Sequence, residues 1–501
     1  MSKHLSATSL GGRPLAMTFA AVIFASAVTV ALLAPLGGPL GEAAAAAVNP
    51  FPNGIVTIDG HGYGPGIGMG QWGAYGYAAK YHEKYAWILS HFYGGTTAGH
   101  STDIGIRVAI LENENAPVVV TSGWHFRFGG YTFAGGQVAK AVLSSATKTW
   151  QISTSTSCSA SSWTRVRSGL IDPQAVPASQ KATAPAAQLL TLCRADGVHE
   201  TVRGLIRAVN FDNAETGNRP LERTINVVPI EEYVADVVPS ESSSGWGLTG
   251  GAGPQAEQWG FQSLEAQAVA ARTYTLDYMA AGGWPSGSGK GLSYADICDS
   301  TYCQSYPGIL NESTVGTRSA TDTAGQYLLL KGVPAPTQYS ASTGGYTVTS
   351  QFPAVVDAGD SVCIPSSYWT CNPDHSWTTT VPVKTVQADF PQIGTLTSIT
   401  VTARSGCDCS WGGHAVEVKI SGSKSSLTEP AYDFQSQFGL MSTWFLIAHP
   451  KTTSTRTSTL SPATARTSLP PSGLGGAGTG PLPLKGHLVA AGELAITMRS
   501  H

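Results

Sequence analysis

The chain has 501 residues, a formal charge of −3 and a hydrophobic share of 42%, enough to bury a sizeable core over roughly two to four domains. Only 12% of residues are Asp, Glu, Lys or Arg, and no basic stripe runs along the sequence. A nucleic-acid partner is therefore not expected, and a neutral, polysaccharide-type ligand suits the composition better.

Lys3, His4 and Arg13, an apolar run from Leu15 to Leu36 and small residues ending Ala45-Ala46-Ala47 read as an export signal over residues 1–47. The apolar run is also long enough to span a bilayer, so cleavage and retention as an anchor both stay open. No second stretch of that length follows, which allows at most one membrane anchor, at the N-terminus. The expected location is outside the cytoplasm. All eight cysteines follow the signal, and an even count in an exported chain points to disulfides. Proximity favours Cys158 with Cys193, Cys298 with Cys303 and Cys363 with Cys371. A bridge between Cys407 and Cys409, with one residue between them, would be strained, so other partners stay open for both.

Ile55 to Asp59 reads as a short strand, and GHGYGPGIGMGQWGA follows from Gly60 to Ala74. Six glycines between Gly60 and Gly70 suit a loop in which backbone must approach something closely. It is not a phosphate loop, because the Lys-Ser/Thr ending and the βαβ context are missing. Gln71 to Tyr93 reads as one helix stopped by Gly94-Gly95. Ile104, Ile106, Val108 and Ile110 alternate as a half-buried strand. Val118–Thr121, Trp124–Phe128, Gln137–Leu143 and Trp150–Ser153 are further strands of a small β-rich subdomain, and residues 159–190 read as a polar loop. Leu205 to Val209 and Thr224 to Val228 return the chain to the sheet that supports the next stretch.

From Asn226 the sequence runs NVVPIEEYVADVVPSESSSGWG and, after a Gly-rich insert, QWGFQSLEAQAVAARTYTLDYM. Ile230 to Val238 is a short run that Pro239 should end. Phe261, Leu264, Ala268, Ala271, Thr275 and Tyr278 fall on one face of an Ala-rich helix suited to close packing. Glu241, at a helix edge between Pro239-Ser240 and Trp246, is the candidate acid/base, since desolvation would raise its pKa toward proton donation. A solvated charge at a helix start is the plain alternative. Downstream come a Gly-Ser loop at 282–291 and a helix, turn and strand over 317–332. The segment QYSASTGGYT at 338–347 is rich in hydroxyls that can bond sugar groups without charge. Trp369, Trp377 and Trp411 could stack on sugar faces. Leu396–Ala403 and Ala415–Ile420 read as strands, Tyr432–Leu440 as a helix, and residues 451–501 as a Ser/Thr/Pro/Gly-rich disordered tail.

VVPSE followed by LEAQAVAARTYTL, then DSTYCQSYPG, the segment 317–347 and FGLMSTWF, in that order, resembles the SpoIID/LytB domain of stage II sporulation protein D. The likeness covers most of residues 225–447. The Gly-rich block resembles a motif of the same family that usually stands last, so the chain looks circularly permuted. That block should then lie near Phe438 to Phe445, with Gly64, Gly66 and Gly68 bringing backbone amides to a glycan. The usual His and Ser are replaced here by Pro65 and Gly70, and His61 could substitute for the histidine.

The resemblance implies an α+β fold of mixed β-sheets, a central Ala-rich helix carrying the active-site cleft, and a small β-rich inserted subdomain. The implied division is 48–100 Gly-rich motif and helix, 101–222 β-rich insertion and 223–450 catalytic domain. The implied activity is a cell-wall peptidoglycan lytic transglycosylase with Glu241 as catalytic acid/base. Gln267, Arg272, Gln304, Tyr339, Ser340, Ser342, Thr343, His61 and Gln71 are the expected substrate contacts. Some relatives bind zinc near the segment matching Cys298 to Cys303, but no histidine lies near those cysteines here, so neither metal nor cofactor is expected. Glu231, Glu232 and Asp236 are the candidates for a second acid, which would favour hydrolysis. Peptidoglycan glycan strands are the expected partner. The alternative reading, a non-catalytic wall-binding modifier that stimulates a cell-wall amidase, stays open.

Overall fold

The computed structural model describes residues 50–211, 221–250, 258–284, 293–365 and 371–448. The signal at 1–47, the tail at 451–501, Trp369 and most of the Gly-Ser loop at 282–291 lie outside the described residues. Seven α-helices are described: α1 (Gln71–Tyr81), α2 (Tyr85–Phe92), α3 (Ile230–Glu241), α4 (Phe261–Ala280), α5 (Thr314–Asp322), α6 (Val383–Asp389) and α7 (Ala431–Phe438). With several mixed sheets they make an α+β fold. Among the described residues no helix is long and apolar enough to cross a membrane.

The single helix expected over Gln71 to Tyr93 is two. His82 adopts left-handed backbone (φ 58°) and its N–H closes on Ala78, which ends α1 before α2 begins at Tyr85. α4 is buried all round through its first four turns, not on one face. Leu264, Ala268 and Ala271 enter a core with α3, whereas Ala266, Val269 and Ala270 enter a second core with α1 and α2. Small side chains let four helices approach this axis, which is why periodicity alone understates its burial.

A seven-stranded sheet orders Ile297–Cys298, Gly105–Ala109, Leu221–Pro229, Leu205–Phe211, Gln174–Val176, Phe126–Phe128 and Tyr131–Phe133. A six-stranded antiparallel sheet, from Thr164–Leu170 at one edge to His199–Val202 at the other, shares a core with it around Phe126, Phe128, Trp150 and Ile206. The β-rich region is therefore not set apart at residue 222: the strand leading into α3 is paired on both sides within its sheet. Residues 159–190, expected as loop, contain Thr164–Leu170 and Gln174–Val176. The first is an edge strand without a buried face and so lacks the alternation that marks a strand.

The N-terminal strand Ile55–His61 lies between Ser376–Pro382 and Phe445–Ala448, antiparallel to both, over a core with Phe390, Ile420 and Phe434. A short parallel pair, Met69–Gly70 with Tyr339–Ser340, then ties the Gly-rich block to the hydroxyl-rich segment. All eight cysteines are paired as Cys158–Cys193, Cys298–Cys303, Cys363–Cys371 and Cys407–Cys409, so the last two bond each other rather than other partners.

Candidate active site

Helix α3 forms because Ile230, Tyr233, Val234, Val237 and Val238 recur at spacings of three and four and are buried against α4 and α5. Pro239 does not end it. The helix runs two residues further, to Glu241, and Ser242 N–H closes on Val238 (2.8 Å). Glu241 thus sits at a helix C-terminus rather than a helix start, where the partial negative charge of the carbonyls opposes ionisation.

Removal from water raises the Glu241 pKa above its ordinary 4.5, and contacts from Ser305, Gln71 and Tyr339 offset part of the rise. Ser305 donates its backbone N–H to Glu241 Oε1 at 2.6 Å. That amide is held by the loop after the Cys298–Cys303 disulfide, whose Cys298 pairs with Ala109 in the seven-stranded sheet. Gln71, the first residue of α1, comes from the end of the Gly-rich block. The Tyr339 hydroxyl is buried and turned toward Glu241 and Gln304 without closing a hydrogen bond of full geometry onto either.

Gln267 and Gln304 stand behind this layer, both fully buried. Gln267 Oε1 accepts from Gln71 Nε2 (3.4 Å) and Ser242 Oγ (3.5 Å), while its Nε2 has no partner among the described residues. Gln304 Oε1 accepts from Tyr233 (3.0 Å) and Thr275 (3.1 Å), and its Nε2 donates to Ala271 O (3.3 Å). Gln304 therefore braces α3 against α4.

Several expected substrate contacts are committed to the protein itself. Arg272 has no exposed surface: its guanidinium grips Glu231 (2.9 and 2.5 Å) and donates to the carbonyls of Gln326 and Ala320. Ser340 Oγ accepts the Gly66 N–H (2.9 Å), Ser342 donates to Asp360 (2.8 Å) and Thr343 donates to Asp357 (2.7 Å). A hydroxyl buried this deeply must find an internal partner. The acidic side chains that supply two of them, Asp357 and Asp360, carry no sequence signature of that role. His375 Nδ1 lies 2.7 Å from Asp360 Oδ2, so the same carboxylate also orients an imidazole.

His61 is not among the groups acting on Glu241. Its ring packs on Trp411 (4.5 Å between centroids) and Trp444 (5.1 Å). Trp377 donates its indole N–H to Gly62 O (2.8 Å). The Gly-rich block does lie beside the segment ending at Phe445: His61 N–H donates to Trp444 O, Gly64 N–H to Met441 O and Ser442 Oγ to His61 O. Its close approaches are to protein rather than to open space. A Cβ on Gly68 would stand 2.1 Å from Gln338 O, and the N–H groups of Gly64 and Gly66 are already spent.

The possible second acids lie elsewhere. Glu231 is held by Arg272 and Gly325 N–H. Asp236 is fully buried with neither carboxyl oxygen partnered among the described residues, and burial, then Glu312, raises its pKa strongly. Burial also raises Glu232, near Arg203 and Asp103. None of these is among the groups acting on Glu241.

Residues 221–330 match the family model described as Stage II sporulation protein, SpoIID, which places Glu241, Gln267, Arg272 and Gln304 within a SpoIID segment. No curated protein and no solved structure matches the chain. The SpoIID match marks it as a sporulation- and cell-wall-related protein, and its four disulfides fit an extracytoplasmic compartment.

Proposed function

We propose that this SpoIID-domain protein is a peptidoglycan lytic transglycosylase that cleaves the β-1,4 bond between MurNAc and GlcNAc and leaves a 1,6-anhydro-MurNAc end. The reading rests on the environment of Glu241. Its carboxyl is desolvated at a helix C-terminus, which raises its pKa, and the groups acting on it among the described residues are one amide N–H, a glutamine and a tyrosine, with no second carboxyl among them. Two carboxyls flanking the bond would suit a hydrolase. A single one suits intramolecular closure. Glu241 donates its proton to the glycosidic oxygen as the C1–O bond breaks. As a carboxylate, steadied by Ser305 N–H, it then takes the C6 hydroxyl proton while O6 bonds to C1. Gln71 and Tyr339 would position the sugar around that carboxyl.

The test is incubation of the full chain with glycan strands, with and without stem peptides, followed by mass spectrometry for anhydro-MurNAc ends. Glu241→Gln should remove those ends and preserve the fold, because an amide keeps the shape and transfers no proton. Wild-type cleavage should decline as pH rises through the raised Glu241 pKa, on the alkaline side of 4.5. A Glu241→Gln protein that still cuts refutes the assignment. Glycan binding without cleavage, coupled to faster turnover by a cell-wall amidase, would favour the non-catalytic reading.

A further inference from the structure

Among the described residues, one set of three ligand-type side chains lies close enough to share a metal ion: Cys158 Sγ, Cys193 Sγ and a ring nitrogen of His199 all fall within 4.8 Å of one another. The sequence brings two of them together locally. Leu190–Cys193 and His199–Val202 form a hairpin whose turn closes through Arg194 N–H on Val198 O (2.8 Å), and its register sets Cys193 opposite His199. Side chains so paired share one face of the sheet. Cys158 comes from the stretch after Trp150–Ser155, a strand separated from Leu190–Cys193 by two others in the six-stranded sheet, and its Cα stands 6.1 Å from that of Cys193. The disulfide therefore ties a crossing segment to the hairpin, and His199 stands beside the tie.

While that bond is closed neither sulfur is a thiolate, and a cation meets no negative charge there. Opened, the pair offers two thiolates beside an imidazole, a charge that a divalent cation cancels. Arg194, next in the chain to Cys193, is spent on Asp196 (2.5 Å) and Glu200 (3.1 Å) and adds no unpaired positive charge. Two sulfurs and a nitrogen suit Zn²⁺ and not Mg²⁺ or Ca²⁺, which take oxygen ligands. With Zn–S bonds of about 2.3 Å, two sulfurs on one tetrahedral zinc stand ~3.8 Å apart, within reach of side chains whose Cα atoms are 6.1 Å apart. His199 is exposed and Cys158 half-buried, so the metal can enter from solvent and water can take the fourth position.

We infer that Cys158, Cys193 and His199 form a redox-gated zinc site, in which the metal replaces the disulfide as the tie between the crossing segment and the hairpin. A dithiol reductant gives two electrons and two protons to the Cys158–Cys193 bond, leaving two thiols and its own disulfide. Zn²⁺ then displaces both thiol protons and binds the two sulfurs and His199. The test opens the full chain with a phosphine reductant, which competes for no metal as a thiol would, and titrates it anaerobically with Zn²⁺ against a chromophoric chelator and with Co²⁺ for its visible spectrum. The reduced chain should take up one tight equivalent that the oxidised chain does not, and Co²⁺ should show tetrahedral, thiolate-ligated bands. Reduction opens all four disulfides, so variants assign the site. His199→Ala, a change at an exposed side chain, and Cys158→Ser should each weaken binding by more than about tenfold, since loss of even a group behind a metal ligand costs 10–100-fold. Cys298→Ser, Cys363→Ser and Cys407→Ser should keep it. Zinc should also raise the Tm of the reduced wild type and leave that of reduced His199→Ala unchanged. No tight equivalent in the reduced chain, equal uptake by the oxidised chain, or undiminished affinity in His199→Ala overturns the inference.

Discussion

His414 should make the protein acid-sensitive in a way that can be assigned to one side chain. The folded protein holds this imidazole neutral down to about pH 4, whereas in the unfolded chain it titrates near 6.5. Between those values the unfolded state binds a proton that the native state excludes, so stability is present above 6.5 and is lost as pH falls toward 4. At about 1.4 kcal/mol per pH unit, the loss attributable to His414 between about pH 7.5 and 4.5 is about 2–3 kcal/mol. The packed neighbours are Thr443, Ser405, Trp444 and Arg404; of these only the guanidinium is charged, and it stays charged throughout. His414→Gln removes the titration and keeps a polar group. Denaturant unfolding of both proteins at the two pH values should show the wild type losing about 2–3 kcal/mol more than the variant on acidification. Parallel losses would refute the reasoning, because carboxyl groups elsewhere contribute equally to both proteins.

Arg272→Met should destabilise by about 3–5 kcal/mol in denaturant unfolding, since it strands Glu231 in a pocket built for its guanidinium. The double variant with Glu231→Gln should recover part of that loss. A change confined to glycan affinity would instead return Arg272 to the substrate contacts. Gly76→Ala in α1, a change that usually stabilises a helix by ~1 kcal/mol, should here cost about 1–3 kcal/mol, read as a lowered Tm. The reason is that its Cβ would stand 2.1 Å from Gly359 O. Native protein should react with no thiol reagent until reduced, because the structure leaves no cysteine free. Stoichiometric labelling at Cys407 or Cys409 would contradict the pairing.

Local pattern determined a definite part of this protein. The spacing of Ile230, Tyr233, Val234 and Val237, the Ala-rich run of α4 and the alternation of Ile106 and Val108 are carried by neighbours in the chain. The helix-edge position of Glu241 and three of the cysteine pairs were legible for the same reason. Pro239 does not end α3 although it forgoes one N–H bond, because the packed helix continues to Glu241 and Ser242 N–H closes on Val238 O. Tertiary structure alone decided what surrounds these residues. The N–H that meets Glu241 belongs to Ser305, and a backbone amide leaves no residue-type signature. Arg272, Ser342 and Thr343 look like ligand-binding side chains until the fold supplies Glu231, Asp360 and Asp357 as their partners. Likewise, Ile55–His61 joins the last described strand, Phe445–Ala448, only because the fold brings these two distant stretches into one sheet. Burial and hydrogen-bond partnership are properties of groups distant in sequence, and a buried polar atom is committed by whichever acceptor the folded chain brings to it.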